Sequence, residues 1–181
     1  MKNKPVKKPG KKKDYSVLIP AILVIVMLSF IAGGLIYNAV TGGPEPLAES
    51  YLEWMMEGDG GQILNSYRPE IITYVTQNMG DKAVSISNRL QNRIETWYEG
   101  KILSVCGTVL SYETEILSVE TVDDNTISEL ESMTKLSVSK AVICKGKITA
   151  HGVKGDATSE HTVYLMKVDD AWYLYGLGLL V

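Results

Sequence analysis

Phenylalanine is nearly missing from this chain of 181 residues: it has Phe30 alone, against ten tyrosines and three tryptophans. Histidine occurs twice, at 151 and 161, and cysteine twice, at 106 and 144. Two histidines give little general-base capacity near neutral pH. No H-E-x-x-H, P-loop, EF-hand loop or G-x-S-x-G is present, so the familiar zinc-protease, nucleotide, calcium and serine-hydrolase signatures are all missing. Ser132-x-x-Lys135 and Ser137-x-x-Lys140 match the S-x-x-K of penicillin-binding enzymes, but that chemistry also needs S-x-N and K-T-G partners, and the chain has neither. No catalytic residue, metal site or cofactor is therefore assigned.

Charge is the next absence. Residues 17–40 carry none, and 24 residues of helix at ~1.5 Å each reach about 36 Å, enough to cross a ~30 Å hydrocarbon core. Tyr15 and Tyr37 stand near the two ends, where aromatic rings favour the membrane interface, and Pro20 falls in the first turn. The run is longer than a signal-peptide core, and Asn38-Ala39-Val40 matches a small-x-small cleavage site poorly. It reads as an uncleaved transmembrane helix, 15–40. Ser29-x-x-x-Gly33 gives it a small-xxx-small pair, the basis for a weak homodimer within the bilayer. Before it, residues 1–14 hold seven lysines and one acid; after it come eleven Lys and Arg against twenty Asp and Glu, a net of −9. Lysines beside a first span keep that end in the cytoplasm and send the remainder across. The expected topology is a basic cytoplasmic tail (1–14), the span, a linker (41–46) and an extracytoplasmic domain (47–181). So acidic a domain is not expected to bind nucleic acid.

The domain's own pattern begins with helices. Leu47, Tyr51, Leu52 and Met55 share one helix face, opened by Pro46 and closed by Gly58. Ile63, Leu64 and Tyr67 suggest a short second helix, and Ile71, Ile72 and Val75 a third. Leu90, Ile94 and Trp97 mark a longer one over 81–98, with Gly100 as its stop. From 102 to 122 the period changes to that of a long strand, Leu110, Tyr112, Thr114 and Ile116 on one face, bent at Gly107 or Leu117. Thr126-x-x-Glu129 reads as a capping box opening a short helix through 135. Strands over 138–150, 158–168 and 171–179 then form an antiparallel meander, with turns at 153–156 and at Asp169-Asp170. Gly176 and Gly178 on the last strand would let a helix lie close. Helices first and strands later indicate an α+β domain, a curved antiparallel sheet with helices packed on its concave side.

The opening PLAESYLEWMMEGDGGQILNSYRPEI and the closing SVSKAVICKGKITAHG and TVYLMKVDDAWYLYG resemble small membrane-anchored surface proteins of Gram-positive bacteria with a cystatin-like, nuclear-transport-factor-two-like cone domain. That resemblance spans most of residues 46–176 and implies a cone-shaped fold that hosts enzymes, binding modules and spacers alike. The reading favoured here is a non-catalytic, membrane-anchored binding or accessory domain for an envelope protein or a small apolar ligand. A small envelope enzyme using the same cone, and a structural spacer of a wall or membrane complex, are the competing readings. All eleven aromatics beyond the span are Tyr or Trp, which bury a ring and keep a polar tip. The candidate pocket residues are Trp54, Tyr67, Trp97, Tyr98, Tyr112, Trp172, Tyr173 and Tyr175. His151 and His161 read as exposed hairpin residues, and Lys140, Lys145, Lys147 and Lys154 as a basic hairpin face. Cys106 and Cys144 lie on predicted strands, either bridged by a disulfide or buried as two thiols.

Overall fold

The computed structural model describes residues 42–78 and 83–180; the tail and the transmembrane helix expected over 15–40 lie outside them. Among the described residues no helix is long and apolar enough to cross a membrane. These residues form an α+β fold in which five helices surround one antiparallel sheet of strand order β1-β2-β3-β4.

Helix α1 (Glu45–Glu57) starts on a proline and ends at Gly58, whose φ of 72° is the left-handed conformation that favours glycine. Asp59 caps α2 (Gly60–Asn65), its carboxylate accepting from the Gln62 N–H at 3.0 Å. Helix α3 (Pro69–Asn78) and helix α4 (Ala83–Trp97) follow. Gly100 does not stop α4. The chain winds on as a π-helical segment, Tyr98–Leu103, and a last helical turn, Ser104–Cys106. The strand expected from 102 is corrected accordingly: Ile102 and Cys106 are both fully buried at helical spacing, which outweighs the β preference of the Ile-Leu-Ser-Val run.

Strands β1 (Val109–Thr121), β2 (Lys140–Gly152), β3 (Gly155–Val168) and β4 (Ala171–Leu174) form a meander. Asp169 and Asp170 both have positive φ, the two-residue turn that suits a hairpin's twist. Register skips Leu110 and Leu117 on β1, so the bend expected at Leu117 is a bulge. The bulge at Leu110 takes that residue out of phase with Tyr112, leaving it 71% exposed. With two bulges and outward glutamates, β1 is an edge strand protected against further pairing. Helix α5 (Asp124–Thr134) is capped by Asp123, not by Thr126: the Asp123 carboxylate accepts from the Thr126 N–H at 2.7 Å.

Register sorts the sheet into two faces. One carries Val142, Cys144, Gly146, Ile148 and Ala150 of β2 opposite Leu165, Val163, His161, Ser159 and Ala157 of β3, and Leu174 of β4 opposite Leu165. Helices α1, α2 and α4 close this face with buried Leu52, Met55, Ile63, Leu90 and Ile94. The close approach expected at Gly176 and Gly178 occurs at Gly146, where a Cβ would stand 2.6 Å from Leu52 Cδ1. Gly176 instead lies under the Tyr164 ring, and β4 ends before it. On the other face α5 covers one end, and Lys145–Glu120 and Lys147–Glu115 ion pairs cross the rest in water.

The two cysteines are free and buried, which corrects the disulfide alternative. Cys106 packs against Gly152, whose Cβ would meet its side chain at 2.8 Å, whereas Cys144 lies eight residues away on the same strand, about 26 Å at ~3.3 Å per residue. No bridge reaches that far.

Candidate functional site

Where β4 ends, the sheet stops covering α1, and a cavity of about 190 Å³ remains. Tyr51, Tyr67, Thr162, Val163, Tyr164, Leu174, Gly176 and Gly178 line it. None of these carries charge. The Tyr67 hydroxyl donates to the Gly176 carbonyl at 2.7 Å, tying the segment after α2 to the chain beyond β4, and Tyr67 bridges Leu174 through its backbone. Burial raises the pKa of both Tyr51 and Tyr67 well above the ordinary phenol range, so both hydroxyls stay protonated as donors.

His161 stands beside this chamber. Its ring meets Tyr51 edge-on at 6.4 Å and Trp97 at 4.9 Å, and its Nε2 has no hydrogen-bond partner among the described residues. Burial pushes its pKa down to about 4, leaving a neutral imidazole at physiological pH. The Trp97 indole N–H donates to Ser159 Oγ at 3.1 Å, which fixes the ring over β3. The expectation that both histidines sit exposed on the hairpin is therefore half corrected. His151 does cross the turn to Asp156 at 2.9 Å, but His161 pairs with Gly146, some 17 Å along the sheet from His151. Among the described residues no group of three potential metal ligands forms.

Tyr164, Gly176 and Gly178 also line a second, more open groove of about 390 Å³ on the α5 side, with Leu130, Met133, Tyr175 and Leu177. Tyr164 and Tyr175 meet edge to face at 5.7 Å, and burial pushes the Tyr175 hydroxyl up to about 12. The segment after β4 is thus the wall between chamber and groove.

Of the eight aromatics singled out in the sequence, the structure brings Tyr67 to the chamber, Trp97 beside it and Tyr175 to the groove. Trp172 is core, 6% exposed. Tyr173 points to the opposite face of β4, where the Arg68 guanidinium sits 5.1 Å above its ring. Tyr112 reaches Glu57 at the far end of α1, its hydroxyl 3.4 Å from the carboxylate. Trp54 and Tyr98 are half-buried at the rim of the core. Sequence reasoning missed Tyr51, His161 and Tyr164. The alternation His161, Val163, Leu165 carried the signal for the histidine, since a strand period through two buried residues places it on the inner face.

No protein-family model, curated protein or solved structure matches this chain.

Proposed function

We propose that the chain is a single-pass membrane protein of the bacterial envelope whose cone-shaped outer domain binds a small apolar ligand, or an apolar side chain of a partner, without catalysing its conversion. The observation that carries this reading is the uncharged chamber under α1, walled by Tyr51, Tyr67, Val163 and Leu174. An engineered cavity of about 150 Å³ accepts benzene, so this volume suits a group of that order. The two tyrosines supply the few polar contacts that orient a ligand in an apolar pocket. Among the described residues no carboxylate lines the chamber, and the exposed Glu49, Glu53, Glu57, Glu95 and Glu99 of α1, α4 and the π segment stay in solvent, which favours binding over acid–base chemistry. Localisation rests on the charge-free run over 17–40 and the lysines before it.

The test is titration of the full chain in a neutral maltoside detergent with benzyl alcohol, read by Tyr and methyl resonances. Saturable shifts at Tyr51, Tyr67 and Leu174 are expected, and Val163→Phe should abolish them while the rest of the spectrum stays folded. A wild-type chain that shows no saturable shift, or a folded Val163→Phe that binds equally well, would leave the domain as a spacer.

A further inference from the structure

Helix α4 and the π segment carry a second feature on their outer side, independent of the chamber. A groove of about 500 Å³ runs there, lined by Arg89, Asn92, Arg93, Trp97, Gly100 and Lys101 among others, with three cations and, among the described residues, no carboxylate. In a domain with nineteen acids against eleven bases that segregation is unusual. Several cations elsewhere are matched: Arg68 by Glu70, Lys145 by Glu120, Lys147 by Glu115 and Lys167 by Asp170. Lys101 makes no ion pair among the described residues. Arg89 and Arg93 each give an N–H to a backbone carbonyl, of Leu180 and Gly178 respectively, which holds each guanidinium in place. A guanidinium has five N–H donors, so the Gly178 carbonyl does not exhaust that of Arg93.

The π segment builds the rest of the groove. Winding on past Trp97 brings Gly100 and Lys101 onto the same wall as Arg93, and the space beside Gly100 is open where a Cβ would point. Single π turns inside helices are frequent at functional sites. Because Trp97 satisfies its N–H at Ser159, it offers the groove apolar ring surface with no polar demand.

We propose that this groove binds a phosphate group carried on a ligand with an apolar portion, the phosphate at Arg93 and Lys101 and the apolar part on Trp97. Phosphate is favoured over carboxylate because its additional oxygens can engage separate cations at once, one by the planar fork of an arginine and one by a lysine. The source is either a lipid headgroup or a water-soluble phosphate ester.

The experiment uses the full chain in maltoside detergent and follows the Trp97 indole N–H resonance during titration with hexyl phosphate. Saturable binding that weakens as salt is raised is expected. Lys101→Gln should lower affinity about tenfold, because it removes one charge-assisted contact from an exposed position. It leaves the seven lysines of residues 1–14 in place, so the loss separates the groove from that tail. The source is then assigned with Lys101→Gln as the control. Lysine-dependent binding to phosphatidylcholine vesicles containing phosphatidic acid identifies a headgroup, and lysine-dependent binding of glycerol phosphate identifies a soluble ester. Absence of saturable hexyl phosphate binding, equal binding by folded Lys101→Gln, or equal binding of hexanoate or hexanol would overturn the proposal.

Discussion

The two faces of the sheet are held by different forces. Beneath α1, α2 and α4, Ile148, Val163, Leu165 and Leu174 are at most 2% exposed, and contact between helix and strand is close enough to need a glycine at 146. On the opposite face, only the α5 end is buried, at Ala141, Met166 and Val168, and the remainder is a ladder of lysine and glutamate. The first face gains from area removed from water, a gain that salt does not screen. The second gains a little Coulomb energy in a high-dielectric setting, which salt screens. Stability should therefore be concentrated on one side of a sheet only four strands wide.

Truncation tests that contrast most strongly. Leu165→Ala on the helix-covered face should cost about 2–5 kcal/mol in a denaturant titration of the folded domain, by lost burial and the cavity left behind. A loss below about 1 kcal/mol would mean that this face collapses to fill the space and is less tightly packed than its burial implies.

Acid sharpens the comparison next. His161 has an ordinary value of 6.5 and a folded value of about 4. Between these limits the unfolded chain binds the extra proton and the folded one does not, so stability is complete above pH 6.5 and falls as pH drops toward 4. The drop should be on the order of 2 kcal/mol, with allowance for the ring's residual exposure. Thermal unfolding from pH 7 to 4 should show it, and His161→Phe, which keeps a ring between Tyr51 and Trp97, should flatten that part of the profile. An unchanged slope in the variant would place the titrating group elsewhere.

The smallest effect belongs to the wet face. A double-mutant cycle on Lys145 and Glu120, whose side chains are 56% and 58% exposed, should give a coupling of at most about 1 kcal/mol that disappears in high salt. A larger, salt-resistant coupling would show that this face is not governed by solvent screening.

Much of the framework could be read from residue spacing. The proline and glycine bounds of α1, the three hairpin strands, the Asp169-Asp170 turn and the bulge at Leu117 all follow from local rules that tertiary contacts did not overrule. The errors fall where packing outweighed local preference. Gly100 carries a stop signal, yet burial of Ile102 and Cys106 draws the helix through it as a π segment. Leu110 keeps its apolar character but is turned outward by a bulge that no residue type announces. The candidate site was legible in kind, as aromatics with polar tips, more than in place. Tyr67 was found, while Tyr51 read as plain helix core and Trp172 and Tyr173 fell on opposite faces of a strand that ends earlier than its pattern suggested. The alternation through Val163 and Leu165 placed His161 on the inner face of β3, but how deeply it is buried depends on which helix covers that face, and that is not a property of β3's own sequence.

The ties made by the stretch after β4 bear on the order in which the fold can be assembled. Tyr67 donates to Gly176, Arg89 to Leu180 and Arg93 to Gly178, contacts that span 109, 91 and 85 positions of the chain. A chain made from its amino end therefore produces the early helices long before the segment that latches them exists. Until residues 172–180 arrive, the apolar sides of α1, α2 and α4 have an incomplete partner, and long-range closure of this kind slows folding and prolongs exposure to aggregation. Completion of the domain is set by the synthesis of its last latch, which makes the interval before it the period in which a holding chaperone would matter most.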